Sequence, residues 1–153
     1  MELSEHIDEN SILNVTSDTK EGVLKELVDT LVKNGKINNP EVALSALLER
    51  EALGSTGVGE QVAIPHAKMK ELDDVAILVG ICKEGIEFGS SDGAPVRIFF
   101  LLLAPEKQMN LHLKTLARIS RLIKLTDFKN KVLEGEMTTS DISKVLKEEE
   151  ARL

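Results

Sequence analysis

Tryptophan and tyrosine are missing from this sequence of 153 residues, and acidic side chains outnumber basic ones by 26 to 19, for a formal charge of −7. Proteins that bind the phosphate backbone of nucleic acids need a cationic face, and those that bind single strands use aromatic rings for stacking. The composition therefore argues against nucleic-acid binding.

A single cysteine is present, Cys82. One thiol excludes an internal disulfide and any metal site built from several thiolates. Cys82 follows an apolar segment, where a cysteine is usually buried and unreactive, although Lys83 beside it keeps a nucleophilic role open. We expect Cys82 to belong to the core.

Long apolar segments are also missing, since none approaches the roughly 20 residues of a membrane-spanning helix. The longest is IFFLLLA at 98–104, which suits a buried strand. The start, MELSEHIDEN, is acidic and polar, unlike a secretory signal, and we expect His6 within it to be solvated. With 42% apolar and 29% charged residues, we expect a single globular domain over 1–153, located in the cytoplasm without direct membrane insertion.

Hydrophobic periodicity predicts strands and helices in mixed order. The predicted strands are 11–15, 75–81 and 96–104. Five helices are predicted: the first ends at Gly35, the second runs from Asn39-Pro40 to about Ala52, the third and fourth cover about 109–124 and 127–134, and the fifth starts near Ser140. This order indicates an α/β (α+β) fold, with a mixed β-sheet of about five strands flanked by helices.

Two local patterns refine the helix ends. Asp18 and Glu21 have the spacing of a capping box, which places the start of the first helix at Asp18. The last helix ends in the acidic segment KEEEARL at 147–153, which we expect to form a solvated helix face.

The glycine-rich segment STGVGEQVAIPHAK at 55–68 does not fit the common nucleotide-binding motifs. Gly54 and Gly59 have the outer spacing of a P-loop, but Glu60 stands where a lysine must reach the phosphates. A dinucleotide fingerprint also fails, because Val62 replaces its third glycine and Pro65 follows too soon for a helix. We expect no nucleotide cofactor.

A smaller anion remains compatible with this loop. Glycines let successive backbone N–H groups converge on one point, and the hydroxyls of Ser55 and Thr56 are additional donors. Arg50, at the end of the preceding predicted helix, would add a planar cationic group for phosphate oxygens. The alternative is an ordinary surface turn, in which Arg50 only opposes the dipole of its helix.

His66 follows Pro65 directly and has apolar neighbours. Proline restricts its own φ and the residue before it, so the histidine is presented in few directions. An unperturbed histidine is mostly neutral at pH 7, and apolar surroundings favour the neutral form further, which makes its imidazole a good nucleophile. The alternative is a loop histidine without a chemical role.

His112 falls near the start of the predicted long helix, where unpaired N–H groups favour an anion. Its imidazole could donate to a phosphoryl oxygen, or it is a boundary histidine half covered by Leu116. A metal held by His66, His112 and either Glu60 or Asp92 is arithmetically possible, but no ligand motif supports it, so we expect none.

Five segments resemble the enzyme IIA domains of the bacterial phosphotransferase system, in the class of the fructose, mannitol and nitrogen-regulatory proteins. They are RE at 50–51, STGVG at 55–59, VAIPHA at 62–67, DGAPVRIFFLLLAPE at 92–106 and HLKTLARIS at 112–120. They span most of the chain and follow the family's order and spacing. Glu60 and Gln61 depart from the small or amide residues that many relatives have there.

The resemblance implies a phosphotransferase with a phosphohistidine intermediate and no metal or cofactor. The histidine of the IPH motif, here His66, would accept a phosphoryl group from an HPr-type carrier protein and pass it to an EIIB domain. His112 would assist the transfer, and Arg50 would help to hold the phosphoryl group. The positions that match the phosphoryl-binding loop are Ser55, Thr56, Gly57 and Gly59.

Three functions remain open at this level: a carrier in sugar uptake, a regulatory module that binds protein partners according to its phosphorylation state, and a metal-binding hydrolase.

A nucleophile that reacts with a protein must be accessible, so we expect His66 in a shallow depression ringed by Val58, Val62 and Met69. We also expect Arg50 and His112 to be at least partly exposed.

Overall fold

The computed structural model describes residues 2–153. Over this range the strands are β1 (Ile12–Asn14), β2 (Gly57–Gly59), β3 (Val62–Ala63), β4 (His66–Met69), β5 (Ala76–Ile86) and β6 (Val96–Pro105). The helices are α1 (Lys20–Lys33), α2 (Pro40–Ala52), α3 (Met109–Leu125), α4 (Phe128–Glu134) and α5 (Thr139–Glu150). Across residues 2–153, no helix combines the length and the apolar character that crossing a membrane requires.

All the strands of the described chain join one mixed sheet with the order β1-β5-β6-β3-β2, and β4 pairs with β6 further along that strand. β1 is parallel to β5, and β3 and β4 are parallel to β6, whereas β5 and β6 are antiparallel. β6 is buried along almost its whole length, as its nearly unbroken apolar sequence predicts. The predicted fold class is confirmed, with six strands instead of about five.

Helices cover both faces of this sheet and create two apolar cores, because successive residues of a strand point to opposite faces. Phe100 of β6 packs in the core that also contains side chains of α3, α4 and α5. Its neighbour Phe99 packs in the second core, with side chains of α1 and α2. Cys82 is 8% exposed and belongs to the second core, which confirms its predicted burial.

Side-chain caps begin three helices, α1, α2 and α5. Asn39 caps α2 by accepting the N–H of Val42 at 3.3 Å, and Pro40 occupies the first helical position as predicted. α1 is capped by Thr19, which accepts the N–H of Gly22 at 3.1 Å. The predicted capping by Asp18 is therefore wrong by one residue, since adjacent Asp and Thr are both good caps and only the backbone conformation selects between them.

The acidic end of α5 is not the solvated face that its composition suggests. Glu150 is 2% exposed and accepts the N–H groups of Leu3 at 2.6 Å and Ser4 at 2.9 Å. Arg118 of α3 donates to the same carboxylate at 2.9 Å. These bonds fix the N-terminal segment against α5, and the side chain of His6, predicted to be solvated, is 20% exposed.

The neighbouring carboxylate, Glu149, is completely buried. Its oxygens lie 3.1 Å from Nζ of Lys131 and 3.2 Å from Nε of Arg152. A buried charge requires such partners, and Lys131 belongs to a different helix. The prediction of a solvated face is wrong because this pairing depends on how α4 packs against α5.

Candidate functional site

His66 is the first residue of β4, and backbone hydrogen bonds hold the chain on both sides of it. It pairs with Leu102 of β6, whose N–H donates to the carbonyl of Pro65 at 2.9 Å. One residue earlier, the N–H of Ile64 donates to the carbonyl of Thr56 at 3.0 Å. The central strand and the β2–β3 segment together therefore fix the position of His66, whose side chain is half-buried.

The imidazole of His66 is oriented by its own chain. Its Nδ1 lies 2.7 Å from the carbonyl oxygen of Ile64. A carbonyl only accepts, so Nδ1 carries the proton and Nε2 keeps a free lone pair. In this tautomer, Nε2 is the nucleophilic atom of the ring.

Burial has the largest effect on the pKa of His66 and lowers it below 6.5. The hydrogen bond to Ile64 raises the pKa, the charge of Arg50 lowers it and the charge of Glu51 raises it again, without reversing the direction. The ring is therefore neutral at pH 7, as the sequence predicts.

His112 lies beside His66 in the first turns of α3, with ring centroids 5.5 Å apart and planes at 82°. Burial lowers its pKa, and the charges of His66 and Lys68 lower it further, so this ring is also neutral at pH 7. Its Nδ1 is buried and finds no hydrogen-bond partner among residues 2–153. Because an unpartnered lone pair is better tolerated in the interior than an unpartnered N–H, the proton belongs on Nε2, which makes Nε2 a donor.

The expectation that His112 is partly exposed is wrong, since it is 5% exposed. His112, Thr115 and Ile119 follow one another at helical spacing and are all buried. They form the stripe by which α3 packs against the sheet. The sequence alone did not show how far toward the start of α3 this stripe extends.

Arg50 stands at the C-terminal end of α2 and is partly exposed, as predicted. Its Nη1 donates to the carbonyl of Gly54 at 2.9 Å, which orients the guanidinium and uses one of its five N–H donors. Arg50, His66 and His112 line a single open cavity of about 900 Å³. The structure thus brings together the three residues that the sequence selects for phosphoryl transfer.

The wall of this cavity is mostly apolar. Its remaining lining residues are Ala46, Glu49, Ala52, Leu53, Ala67, Lys68, Met109, Leu113 and Leu116. Leu53 is 85% exposed and Leu113 is 55% exposed. These two side chains, one directly after α2 and one in α3, form an apolar rim on either side of the histidines.

The predicted ring of Val58, Val62 and Met69 is wrong. Val62 is completely buried and Met69 is 2% exposed, because β3 and β4 pair with the central strand. Val58 is 51% exposed, but it does not belong to the cavity wall as the described residues define it. The true rim comes from helices that are distant in sequence.

The glycine-rich loop forms a hairpin from β2 and β3. The candidates for phosphoryl binding in this loop are Ser55, Thr56, Gly57 and Gly59. The Thr56 hydroxyl donates to Glu51, and the Ser55 hydroxyl donates to the carbonyl of Phe88 at 2.5 Å. A side chain at Gly57 would overlap Ser90, so close packing requires glycine there. Within the described chain, none of these four residues lines the cavity of His66.

The carboxylates considered as metal ligands have other contacts. Asp92 accepts the N–H groups of Glu60 and Ala94, each at 3.0 Å. Glu60 carries a left-handed φ of 56° at the hairpin turn, and its carboxylate lies 3.9 Å from Nζ of Lys129. These carboxylates lie outside the cavity wall that the described residues form around His66 and His112.

Sequence reasoning assigned no role to Glu51, whose side chain is only 4% exposed beside this site. A signal existed, because the dipole of a helix disfavours an acidic residue in its last turn. An acidic residue at such a position indicates a specific cationic or hydrogen-bonding partner.

Comparisons with known proteins show which family this chain resembles. The family model described as phosphoenolpyruvate-dependent sugar phosphotransferase system, EIIA 2, matches residues 5–149. The chain is 39% identical over 137 residues to the PTS system fructose-specific EIIABC component of Bacillus subtilis, covering 89% of this chain and 22% of that protein. It is 36% identical over 126 residues to the PTS system fructose-specific EIIA component of Haloferax volcanii, covering 81% of this chain and 82% of that protein. The chain therefore spans about a fifth of the B. subtilis protein.

Solved structures share the fold. The nitrogen regulatory protein IIA-Ntr of Neisseria meningitidis superposes with a TM-score of 0.85 at 23% identity, over 94% of this chain and 98% of that one. Enzyme IIAMTL in its complex with phosphorylated enzyme IIBMTL of Escherichia coli gives a TM-score of 0.74 at 21% identity, over 93% and 97%. The family model and the relatives confirm the resemblance found in the five sequence segments. The chain belongs to the EIIA type 2 family of the phosphoenolpyruvate-dependent sugar phosphotransferase system.

Proposed function

We propose that this chain is a phosphocarrier that accepts a phosphoryl group on Nε2 of His66 and passes it to a second protein. The observation that carries this proposal is the neutral imidazole with its proton held on Nδ1 and its Nε2 free, in an open cavity shared with a guanidinium. The Nε2 lone pair forms the new N–P bond while the N–P bond of the donor breaks, and that electron pair stays on the donor nitrogen. Transfer to the acceptor repeats the exchange.

Arg50 and His112 stabilise the transferring group in this proposal. Phosphoryl transfer depends chiefly on positioning and on stabilising the charge of the equatorial oxygens. Arg50 supplies a fixed positive charge, and His112 supplies a neutral Nε2–H donor, so neither competes with His66 as a nucleophile. The hydroxyls of Ser55 and Thr56 already have partners inside the protein, so they do not hold the phosphoryl group in this scheme.

The donor in this proposal is a phosphorylated HPr-type carrier, and the acceptor is an EIIB domain. The fused fructose-specific relative and the solved complex of a mannitol IIA with phosphorylated IIB support an EIIB acceptor. The apolar rim around the histidines supports a protein partner, since desolvated apolar patches with polar surroundings are typical of such contacts. The proposal includes a cytoplasmic location and a single domain over residues 1–153.

A regulatory role is the second candidate, and the superposition on a nitrogen regulatory protein supports it. In that role, the phosphoryl group on His66 adds negative charge to the cavity inside the apolar rim, and this charge selects protein partners. Binding of a regulator to only one phosphorylation state would favour this role. Sugar phosphorylation in a system reconstituted with an EIIB–EIIC permease would favour the transport role.

Incubation with the phosphorylated carrier tests the acceptor assignment. We expect one phosphoryl group on His66, located by mass spectrometry, with the lability in acid and the persistence in base of an N–P bond. Phosphorus NMR of the denatured product should identify the Nε2 isomer. Label on another residue, or label that persists in His66→Ala, would contradict the assignment.

The supporting residues are tested by Arg50→Ala and His112→Gln. Loss of one charge-assisted contact should slow transfer by about ten- to a hundredfold if the contact acts in the transition state. Arg97→Ala is a matched control, since Arg97 also donates to a backbone carbonyl, at 2.8 Å, but lies outside the cavity wall. Equal rates for all three folded variants would remove Arg50 and His112 from the mechanism.

A further inference from the structure

Glu51 is a buried carboxylate that the scheme above does not use. It is the penultimate residue of α2, where both the helix dipole and the loss of hydration disfavour a negative charge. Three donors compensate: Nζ of Lys20 at 2.9 Å, the N–H of Thr56 at 3.1 Å, and the hydroxyl of Thr56. The carboxylate thus binds the chain on the far side of the turn that follows α2.

Thr56 connects this carboxylate to the segment that carries the nucleophile. Its carbonyl accepts the N–H of Ile64 at 3.0 Å, and the carbonyl of Ile64 accepts Nδ1–H of His66 at 2.7 Å. Pro65, between them, has no N–H to donate. A continuous path of hydrogen bonds therefore leads from Glu51 through Thr56 and Ile64 to the ring of His66.

Lys20, the first residue of α1, anchors the other end of this path. Its Nζ lies 3.4 Å from the carbonyl of Phe88 and 4.4 Å from the centroid of the Phe88 ring. Because Lys20 neutralises Glu51, the adjacent Arg50 is not needed as its partner. Arg50 instead donates to Gly54 and lines the cavity.

We propose, on the basis of the function above, that Lys20, Glu51 and Thr56 are positioning residues for His66. They hold the Ile64 carbonyl in place, and this carbonyl keeps the proton on Nδ1 and leaves the lone pair of Nε2 for the phosphoryl group. The tautomer of His66 exists before any phosphorylation, so it is measured in the unphosphorylated protein.

The charged and titratable groups around His66 come from three elements: Glu49, Arg50 and Glu51 from α2, Lys68 from β4 and His112 from α3. After the larger effect of burial, the Ile64 hydrogen bond and Glu51 both raise the pKa of His66. A weakened network therefore lowers this pKa further. Thr56→Val acts through the hydrogen bond alone, whereas Glu51→Gln also removes the charge.

Nitrogen-15 NMR of the imidazoles, on the full chain without carrier, reports the tautomer populations and the pKa of His66. We expect the Nδ1–H tautomer to dominate in the unmodified protein. In Thr56→Val, loss of one bond to a charged group should raise the Nε2–H population about threefold or more and slow phosphorylation about tenfold. Thr56→Ser should restore both values. Lys20→Met, which keeps most of the apolar stem, should act in the same direction.

Glu26→Gln is the matched control. Glu26 also accepts backbone N–H groups, from Thr16 at 3.0 Å and Ser17 at 2.9 Å, but it lies outside the cavity wall. It should leave the tautomers of His66 unchanged. An unchanged tautomer ratio in folded Lys20→Met and Thr56→Val would overturn the positioning role. Failure of the unmodified protein to accept a phosphoryl group at His66 would instead overturn the proposed function and leave the tautomer result intact.

Discussion

The hydrogen bond between Nδ1 of His66 and the carbonyl of Ile64 decides which nitrogen of the ring can react. The bond spans only two residues, and Pro65 between them restricts the backbone that makes it. His112, 5.5 Å away between ring centroids, is neutral for a related reason. Burial lowers the pKa of each histidine, and the charge of His66 also lowers the pKa of His112.

Acidification should slow phosphorylation of His66. Because the folded-state pKa of His66 lies below 6.5, the Nε2 lone pair is available at pH 7 and is lost as the pH falls through that lowered value. The initial rate of phosphorylation, measured between about pH 5 and 8 with an excess of carrier, should therefore show an acidic limb with an inflection below 6.5.

The same shifts affect stability, with a defined sign. Since the unfolded chain binds protons at both histidines more readily than the folded chain, the free energy of unfolding should decrease as the pH falls below about 6.5. Denaturation of His66→Gln should show a shallower decrease. For the phosphorylation rate, an inflection above pH 6.5 would contradict the buried, neutral state of the His66 ring.

Among the secondary-structure elements, α5 has the surface pattern that is hardest to interpret from composition. Its last turn contains three consecutive glutamates, of which Glu148 is exposed whereas Glu149 and Glu150 are buried. Burial raises the pKa of Glu150, but the hydrogen bonds from Leu3, Ser4 and Arg118 lower it overall. This carboxylate is therefore ionised at pH 7 and fastens the N-terminal segment to α5.

Glu150→Gln should destabilise the fold. The amide presents two hydrogens to a site built from donors, and the loss of hydrogen bonds to a charge costs about 1.5–3 kcal/mol in the free energy of unfolding. Urea denaturation at pH 7 measures this change. Glu148→Gln, in the same turn, should change the free energy by no more than about 0.5 kcal/mol. Equal midpoints for the two variants would show that the Glu150 contacts do not stabilise the fold.

For the whole molecule, the decisive arrangement is the position of α2 and α3 on either side of β4. It places two exposed leucines, Leu53 directly after α2 and Leu113 in α3, at the rim of the cavity that holds the two histidines. Five strands, β2 to β6, lie between Leu53 and Leu113 along the chain. The sequence around either leucine therefore does not identify the rim. In the proposed function, we therefore expect the carrier that delivers the phosphoryl group to contact both leucines as it approaches His66.

Leu53→Glu and Leu113→Glu should weaken docking of the carrier without changing the chemistry of His66. A buried carboxylate at an interface centre should raise KM for the phosphorylated carrier by about tenfold or more. Phosphorylation by a small donor such as phosphoramidate should be unchanged. Val58→Glu is the matched control, since Val58 lies outside the cavity wall and is 51% exposed, close to the 55% of Leu113. A similar rise in KM for Val58→Glu would place the docking surface elsewhere.

Much of the architecture follows from local patterns in the sequence. The nearly unbroken apolar segment at 96–104 predicts the buried central strand. Asn39-Pro40 predicts the start of α2, and Pro65-His66 predicts a restricted, neutral imidazole. Each of these features depends on interactions within a few residues or on the hydrophobicity of one segment. The roles of His66, His112, Arg50 and the loop residues in catalysis stay predictions.

The sequence by itself determined the family, the order of the elements and the residue types at the site, because segment composition and spacing carry that information. Only the tertiary structure decided which side chains are buried and which are paired. Glu150 is buried against residues more than a hundred positions away. The Thr56 hydroxyl donates to Glu51, and the apolar rim combines side chains from the end of α2 and from α3. Burial and pairing are properties of contacts between distant segments, and these contacts exist only once the helices have packed on the sheet.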